Sequence, residues 1–105
     1  MLKLQLCGRA VTVNVGDPAS WAEDSMGRCS VLKGQIHLSE HLDKDGMASI
    51  LWHEVIHFVA DSLDLELEEK QVAGLEVGLL QALKDNHELA DILLGRRPVV
   101  NHVEA

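Results

Sequence analysis

His53, Glu54 and His57 hold the clearest chemistry in the chain. They fall in the run Leu51-Trp52-His53-Glu54-Val55-Ile56-His57, the HExxH pattern. On a helix, residues i and i+4 lie one turn apart on the same face, so His53 and His57 can aim two imidazoles at one cation. Glu54 lies about 100° round from His53, where its carboxylate can reach a water on that cation without binding the cation itself. Two imidazoles, a carboxylate and an open position suit zinc, and one Zn2+ ion is the expected cofactor. Its bound water would be acidified and would attack a polarised carbonyl, with Glu54 as general base. Shuffling this composition would produce the pattern in roughly 3% of chains. The apolar neighbours Ile50, Leu51 and Trp52 also make an unliganded pair of imidazoles costly to bury.

A third protein ligand must come from elsewhere. Asp61, four residues after His57 on the same face, suits an orienter of an imidazole better than a ligand. Glu68, Glu69 and Glu76 fall on the side of a second helix that carries Val72, Leu75, Leu79 and Leu83. An acid there is unusual unless it is paired or binds metal. Glu76 has the more apolar surroundings, and in an antiparallel hairpin turning near Asp64 it lies nearly level with both histidines. Glu69 lies nearer the turn, level with the His57 end. The blander roles are charge complementing the helix dipole for Glu68 and Glu69, and a core-edge ion pair for Glu76. Spacing leans toward Glu76 and leaves Glu69 open.

The elements that must position these groups follow from periodicity. Leu2, Leu4, Leu6 and then Val11, Val13, Val15 alternate, which predicts strand over 2–15 with a tight turn at Gly8-Arg9. Gly16-Asp17-Pro18 ends that segment. Cys29, Val31 and then Ile36, Leu38 predict a second β region, turned at Lys33-Gly34. The period then changes to three and four at Met47, Ile50, Leu51, Val55, Phe58 and Val59. With Asp43 or Asp45 as N-cap, this predicts a helix over about 45–62 whose apolar stripe faces the sheet. A second helix is expected from Glu66 to about 84 and a short third one from Glu88 to Leu94, stopped by Gly95 and Pro98. The expected fold is α+β, a small antiparallel sheet of three or four strands packed on the HExxH helix and a second long helix. One domain is expected over 1–105, with 96–105 a loose tail.

Composition bounds the partners. The 105 residues carry 9 Lys+Arg against 17 Asp+Glu, a net charge of −8. That sign argues against a protein that grips nucleic acid through its phosphates. With no Tyr and one Phe, base stacking is also poorly supported. No apolar run approaches the roughly 18 residues that span a bilayer, and the alternating N-terminus does not read as a signal peptide. Cys7 and Cys29 lack CxxC spacing and read as free thiols, so the expected location is the cytoplasm. Trp21 and Trp52 read as core, and His87 and His102 as exposed.

Taken together, these residues resemble small phage- and prophage-type zinc-peptidase-like proteins of the gluzincin kind, similar in pattern to ImmA/IrrE-type metallopeptidases. The resemblance spans about residues 26 to 94. It rests on Gly34-Gln35-Ile36-His37-Leu38, the HExxH helix, Leu65 through Leu80, and Lys84-Asp85-Asn86. It implies a zincin-like domain hydrolysing a peptide or protein substrate. In that group the second helix reads as an acid, a small or β-branched residue at +3, an apolar residue at +6 and paired apolars at +10 and +11. Glu69, Val72, Leu75, Leu79 and Leu80 fit, which implies Glu69 as the third ligand beside His53 and His57, with Glu76 the alternate. The separation of His57 from Glu76 resembles that of zinc aminopeptidases and supports the alternate. Gluzincin proteases usually supply a Tyr or His to stabilise the oxyanion. Here His37, His41 or Arg28 would have to serve. A peptide could add as a strand along the edge near Gly34 to Leu38. A capping of the metal by His102 or Glu104 from the tail is a further expectation. Two other readings are a metal-binding but non-proteolytic phage-derived interaction or regulatory module, and a metal-free helical hairpin adaptor.

Overall fold

The computed structural model describes residues 2–21 and 25–99. Among them the order of elements is β1 (Leu2–Leu6), β2 (Arg9–Gly16), a 3-10 turn (Pro18–Ser20), β3 (Gly27–Ser30), β4 (Gln35–Ser39), α1 (Lys44–Ser62), α2 (Glu69–Asp85) and α3 (Leu89–Leu93). The class is α+β, as the change of period predicts.

Strand pairing departs from the expectation. The sheet has the order β1-β2-β4-β3 and is mixed: β1/β2 and β3/β4 are antiparallel, whereas β2 and β4 run parallel. The β1–β2 hairpin turns at Cys7-Gly8, one residue earlier than expected, with φ of 51° and 76°. Two consecutive positive φ values match the twist of the flanking strands, as in type I′ turns. β3 lies two strand positions from β2, and β4 fills the gap between them, parallel to β2. Insertion between β2 and β3 makes β4 an interior strand, so the expected docking edge near Gly34 to Leu38 is already paired on both sides. Among the described residues the free edges are β1 and β3.

Alternation fixes which side chains reach the core. Val11, Val13, Ile36 and Leu38 point to one face and close around Phe58 of α1, with Leu4, Leu6, Cys29, Ile50, Leu51 and Val55 packed against them. The opposite face carries polar residues such as Thr12, Asn14, Gln35 and His37, and Trp21 packs there against the His37 ring, 5.6 Å between centroids. Trp21 is therefore buried, but outside the main core. Trp52 on α1 is half-buried.

The helix ends show why the hairpin forms. Asp43 caps α1, its side chain accepting from the Gly46 amide at 2.7 Å. At the other end Asp64 adopts φ 57°, with Leu65 N–H donating to Ala60 O and Asp64 N–H to Asp61 O. That is a Schellman closure with Asp in the place usually taken by glycine, and it reverses the chain toward α2. Gln71 Oε1 accepts from the Glu68 amide at 2.8 Å and starts α2 at Glu69, later than the expected Glu66. Val72 is fully buried against the rest of the fold, but Leu75, Leu79 and Leu83 are 37 to 45% exposed. The expectation that all four line one buried face is thus met only at Val72. The residues of α2 turned toward α1 are Glu69, Val72 and Glu76, and this rotation carries the leucine row outward. Beyond α3, Arg96 and Arg97 pair with Asp91 and Glu88, each at 3.5 Å, so residues 96 and 97 are tied back. Residues 100–105, including His102 and Glu104, lie outside the described residues.

Candidate metal centre

The histidines of the HExxH run project from the side of α1 that faces α2. Their rings meet edge to face, 4.9 Å between centroids. Glu69, the first residue of α2, places one carboxylate oxygen on each: Oε1 is 2.5 Å from His53 Nε2, and Oε2 is 2.9 Å from His57 Nε2. His53, His57 and Glu69 thus bring one donor atom each to within 4.8 Å of one another.

Glu76 reaches the other side of the same imidazole. Its Oε1 lies 2.7 Å from His53 Nδ1, while its Oε2 accepts from the Ser49 hydroxyl at 2.7 Å. Glu69 and Glu76 are seven residues apart, two turns with an offset of about 20°, so both can address one ring of α1. The division of labour follows from which nitrogen each one meets. Glu76 fixes the His53 ring through Nδ1 and leaves Nε2 turned toward His57 and Glu69. Asp61 does not take the orienting role expected of it: it is exposed, and it lines the cleft beyond His57 instead. Glu68 is spent on starting the helix.

The donor set fits a zinc ion in type and number, two imidazoles and a carboxylate with room beside them. Each imidazole Nε2 stands closer to its Glu69 oxygen than the roughly 3.4 Å expected between ligands of tetrahedral zinc with bonds near 2.1 Å. The Glu69 side chain is 69% exposed and has space to swing outward, whereas the two histidines are anchored in α1. Burial resists a charge on His53, but Glu76, Glu69 and Glu54 outweigh it and hold its pKa above the usual imidazole value. A divalent ion entering the site would take over that cationic role.

Glu54 is only 6% exposed and lines the same cleft as His53 and His57. The cleft is about 510 Å³, walled by α1 on one side and by Ser25 to Cys29 on the other. Gly27 sets how closely the wall approaches. A Cβ there would lie 2.5 Å from Ile50 Cγ2 and 3.4 Å from Glu54 Cγ. Sequence reasoning overlooked Gly27, because a lone glycine at the start of a strand reads as a turn residue. Cys29 also lines the cleft, and burial, then Glu54 and Asp61, push its thiol pKa up to about 12. It is a neutral thiol there, poorly suited to act as a nucleophile or thiolate ligand.

The three candidates for oxyanion stabilisation are separated. His37 stacks with Trp21 on the far face of the sheet, and burial, with Arg28 and Lys33, lowers its pKa. His41 lies beyond β4 near Asp17 and Glu40, all three exposed, and Asp17 already accepts from the Ala19 amide at 3.0 Å. Arg28 alone borders the cleft, as part of β3, and the alternation of that strand turns its side chain to the His37 face instead of toward the donors. Among the described residues no helix is long and apolar enough to cross a membrane. Compared with known proteins, the chain matches no family model, no curated protein and no solved structure.

Proposed function

We propose that the chain is a zinc-dependent metallopeptidase-like domain of zincin type, acting on a peptide or protein substrate in the cytoplasm. The observation that carries this reading is the convergence of His53 Nε2, His57 Nε2 and the Glu69 carboxylate at the mouth of a cleft lined by Glu54. His53, His57 and Glu69 would hold the ion, and Glu76 with Ser49 would hold the His53 ring in the orientation that presents Nε2. Bound there, zinc supplies an acidified water and polarises the scissile carbonyl. Glu54 is the carboxylate of the HExxH run, and its burial in the cleft beside His53 favours a proton-carrying role. It accepts the water proton at its carboxylate and passes it to the departing amine. The free edge of β3 offers main-chain groups to an extended substrate beside Glu54. Free thiols at Cys7 and Cys29 agree with a reducing compartment. The resemblance to ImmA/IrrE-type metallopeptidases supports the same reading through its residues.

The experiment is a peptide-library digest with the zinc-supplemented protein and its Glu54→Gln variant. Cleavage by the wild type that is lost in the variant is the expected result. Equal cleavage by both assigns the activity to another site or a contaminant, and zinc binding without cleavage leaves a metal-binding interaction module.

A further inference from the structure

The charge of the molecule is divided unevenly between its layers. The thirty residues 2–16 and 25–39, which hold all four strands, contain Lys3, Arg9, Arg28 and Lys33 and no Asp or Glu, in a chain whose net charge is −8. Among the described residues, Arg28 lies on the free edge that borders the metal centre, and Lys33 follows beyond the end of that strand. Arg28 is on β3, and Lys33 is in the turn between β3 and β4. Neither pairs with a carboxylate among the described residues. The acids nearest Arg28 in sequence, Glu23 and Asp24, lie outside those residues.

Alternation decides where an occupant would meet these charges. Gly27 and Cys29 face α1: the first nearly touches Ile50 and Glu54, and the second packs on the core. Arg28 therefore points to the other side, opposite His37 in the β3–β4 register. Burial, then Arg28 and Lys33, lower the pKa of His37, so both cations are felt on that face of the sheet. A strand added to the β3 edge would place alternate side chains next to Arg28 and the rest toward α1, where Asp61 lies on the opposite wall. The two sides of such a strand thus meet opposite charges.

We propose, resting on the metallopeptidase reading, that this edge selects acidic substrates. Asp or Glu is read at the positions flanking the scissile bond that point away from α1, by Arg28 and, farther along, by Lys33. At the inward positions acids are disfavoured by Asp61. The specificity is an alternating one, acid outward and neutral or basic inward, and not a general taste for acidic chains. Arg28 acts as a specificity residue, because its side chain lies on the face away from the reacting atoms.

The test is cleavage-site profiling of the zinc-loaded protein on a mixed peptide library, with Arg28→Glu, Arg28→Gln and Lys33→Glu variants and with Lys84→Glu as a charge control on α2. The expected result is enrichment of Asp and Glu at alternating positions around the cut. Individual peptides with Glu at those positions should show kcat/KM about tenfold above their Lys counterparts, the size of partly desolvated charge pairing. Arg28→Glu should abolish or invert that ratio, Arg28→Gln should flatten it, and Lys84→Glu should leave it intact. A preference for Lys, an acid preference unchanged by Arg28→Glu, or an equal fall in kcat for all peptides would overturn the inference, the last because it marks a role in the reaction itself. If no peptide is cut, anisotropy with the zinc-loaded Glu54→Gln variant decides: acidic peptides binding more tightly support the inference, and equal or absent binding overturns it. Failure of zinc to bind at all sinks the metallopeptidase reading instead.

Discussion

Two clefts of nearly equal size flank α1, and their contents differ completely. One, of about 510 Å³, is lined by His53, Glu54, His57, Asp61 and Glu69. The other, of about 530 Å³, lies between α1 and the β1–β2 side of the sheet and is lined by Leu2, Val13, Val15, Leu38, Met47 and Leu51. The same helix supplies both, its first turns to the apolar cleft and its later turns to the polar one. Cavity volume therefore says nothing here about where chemistry happens; the donor groups and their partners do. Within the polar cleft Glu69 meets both histidines and Glu54 lies beside them, whereas the lining of the other cleft is apolar apart from Asn14.

Substitutions can break this contrast or sharpen it. The largest effect is expected from Glu54→Gln, which removes the proposed proton carrier while keeping shape, and should lower kcat about 100- to 10,000-fold with zinc content unchanged. A variant that keeps its activity would make the two clefts equivalent in function. Next comes the division between the two glutamates. Glu76→Gln should weaken zinc affinity about 10- to 100-fold, in the range typical of partners that orient a ligand. Glu69→Ala should lose more, measured by competition against a chelator. The reverse order would exchange their roles. Gly27→Ala tests the wall of the polar cleft and should destabilise the fold by about 1–3 kcal/mol in urea unfolding, because the new methyl meets Ile50 and the strand must retreat. The smallest effect is reserved for the apolar cleft. Met47→Ala should cost about 1 kcal/mol or less and leave zinc content and cleavage unaltered.

Much of the arrangement was legible in the sequence where the information is local. Alternation at Val11, Val13, Ile36 and Leu38 and the three-four spacing through Phe58 identify the two sides of the core, and Asp43 marks the helix start. Pairing order was not legible, because nothing local at residues 35–39 says that this strand enters between β2 and β3. Local spacing therefore points to a docking edge at β4, whereas β3 is the edge strand beside the cleft among the described residues. The rotation of α2 was missed for a related reason. A helical wheel groups Glu69, Glu76 and the leucine row together, but only contact with α1 decides that the two acids turn inward and Leu75 and Leu79 turn out. The same wheel could not separate Glu69 from Glu76, since they share a face. What separates them is the nitrogen of His53 that each one meets.

The central claim is that His53, His57 and Glu69 form a zinc site. Its most direct test is elemental analysis of the purified chain after zinc supplementation and exhaustive dialysis, run beside His57→Ala. Close to one equivalent of zinc is expected in the wild type and a clear loss in the variant, from which a ligand has been removed. Less than about a tenth of an equivalent in the wild type, or full zinc retained by His57→Ala, would contradict it.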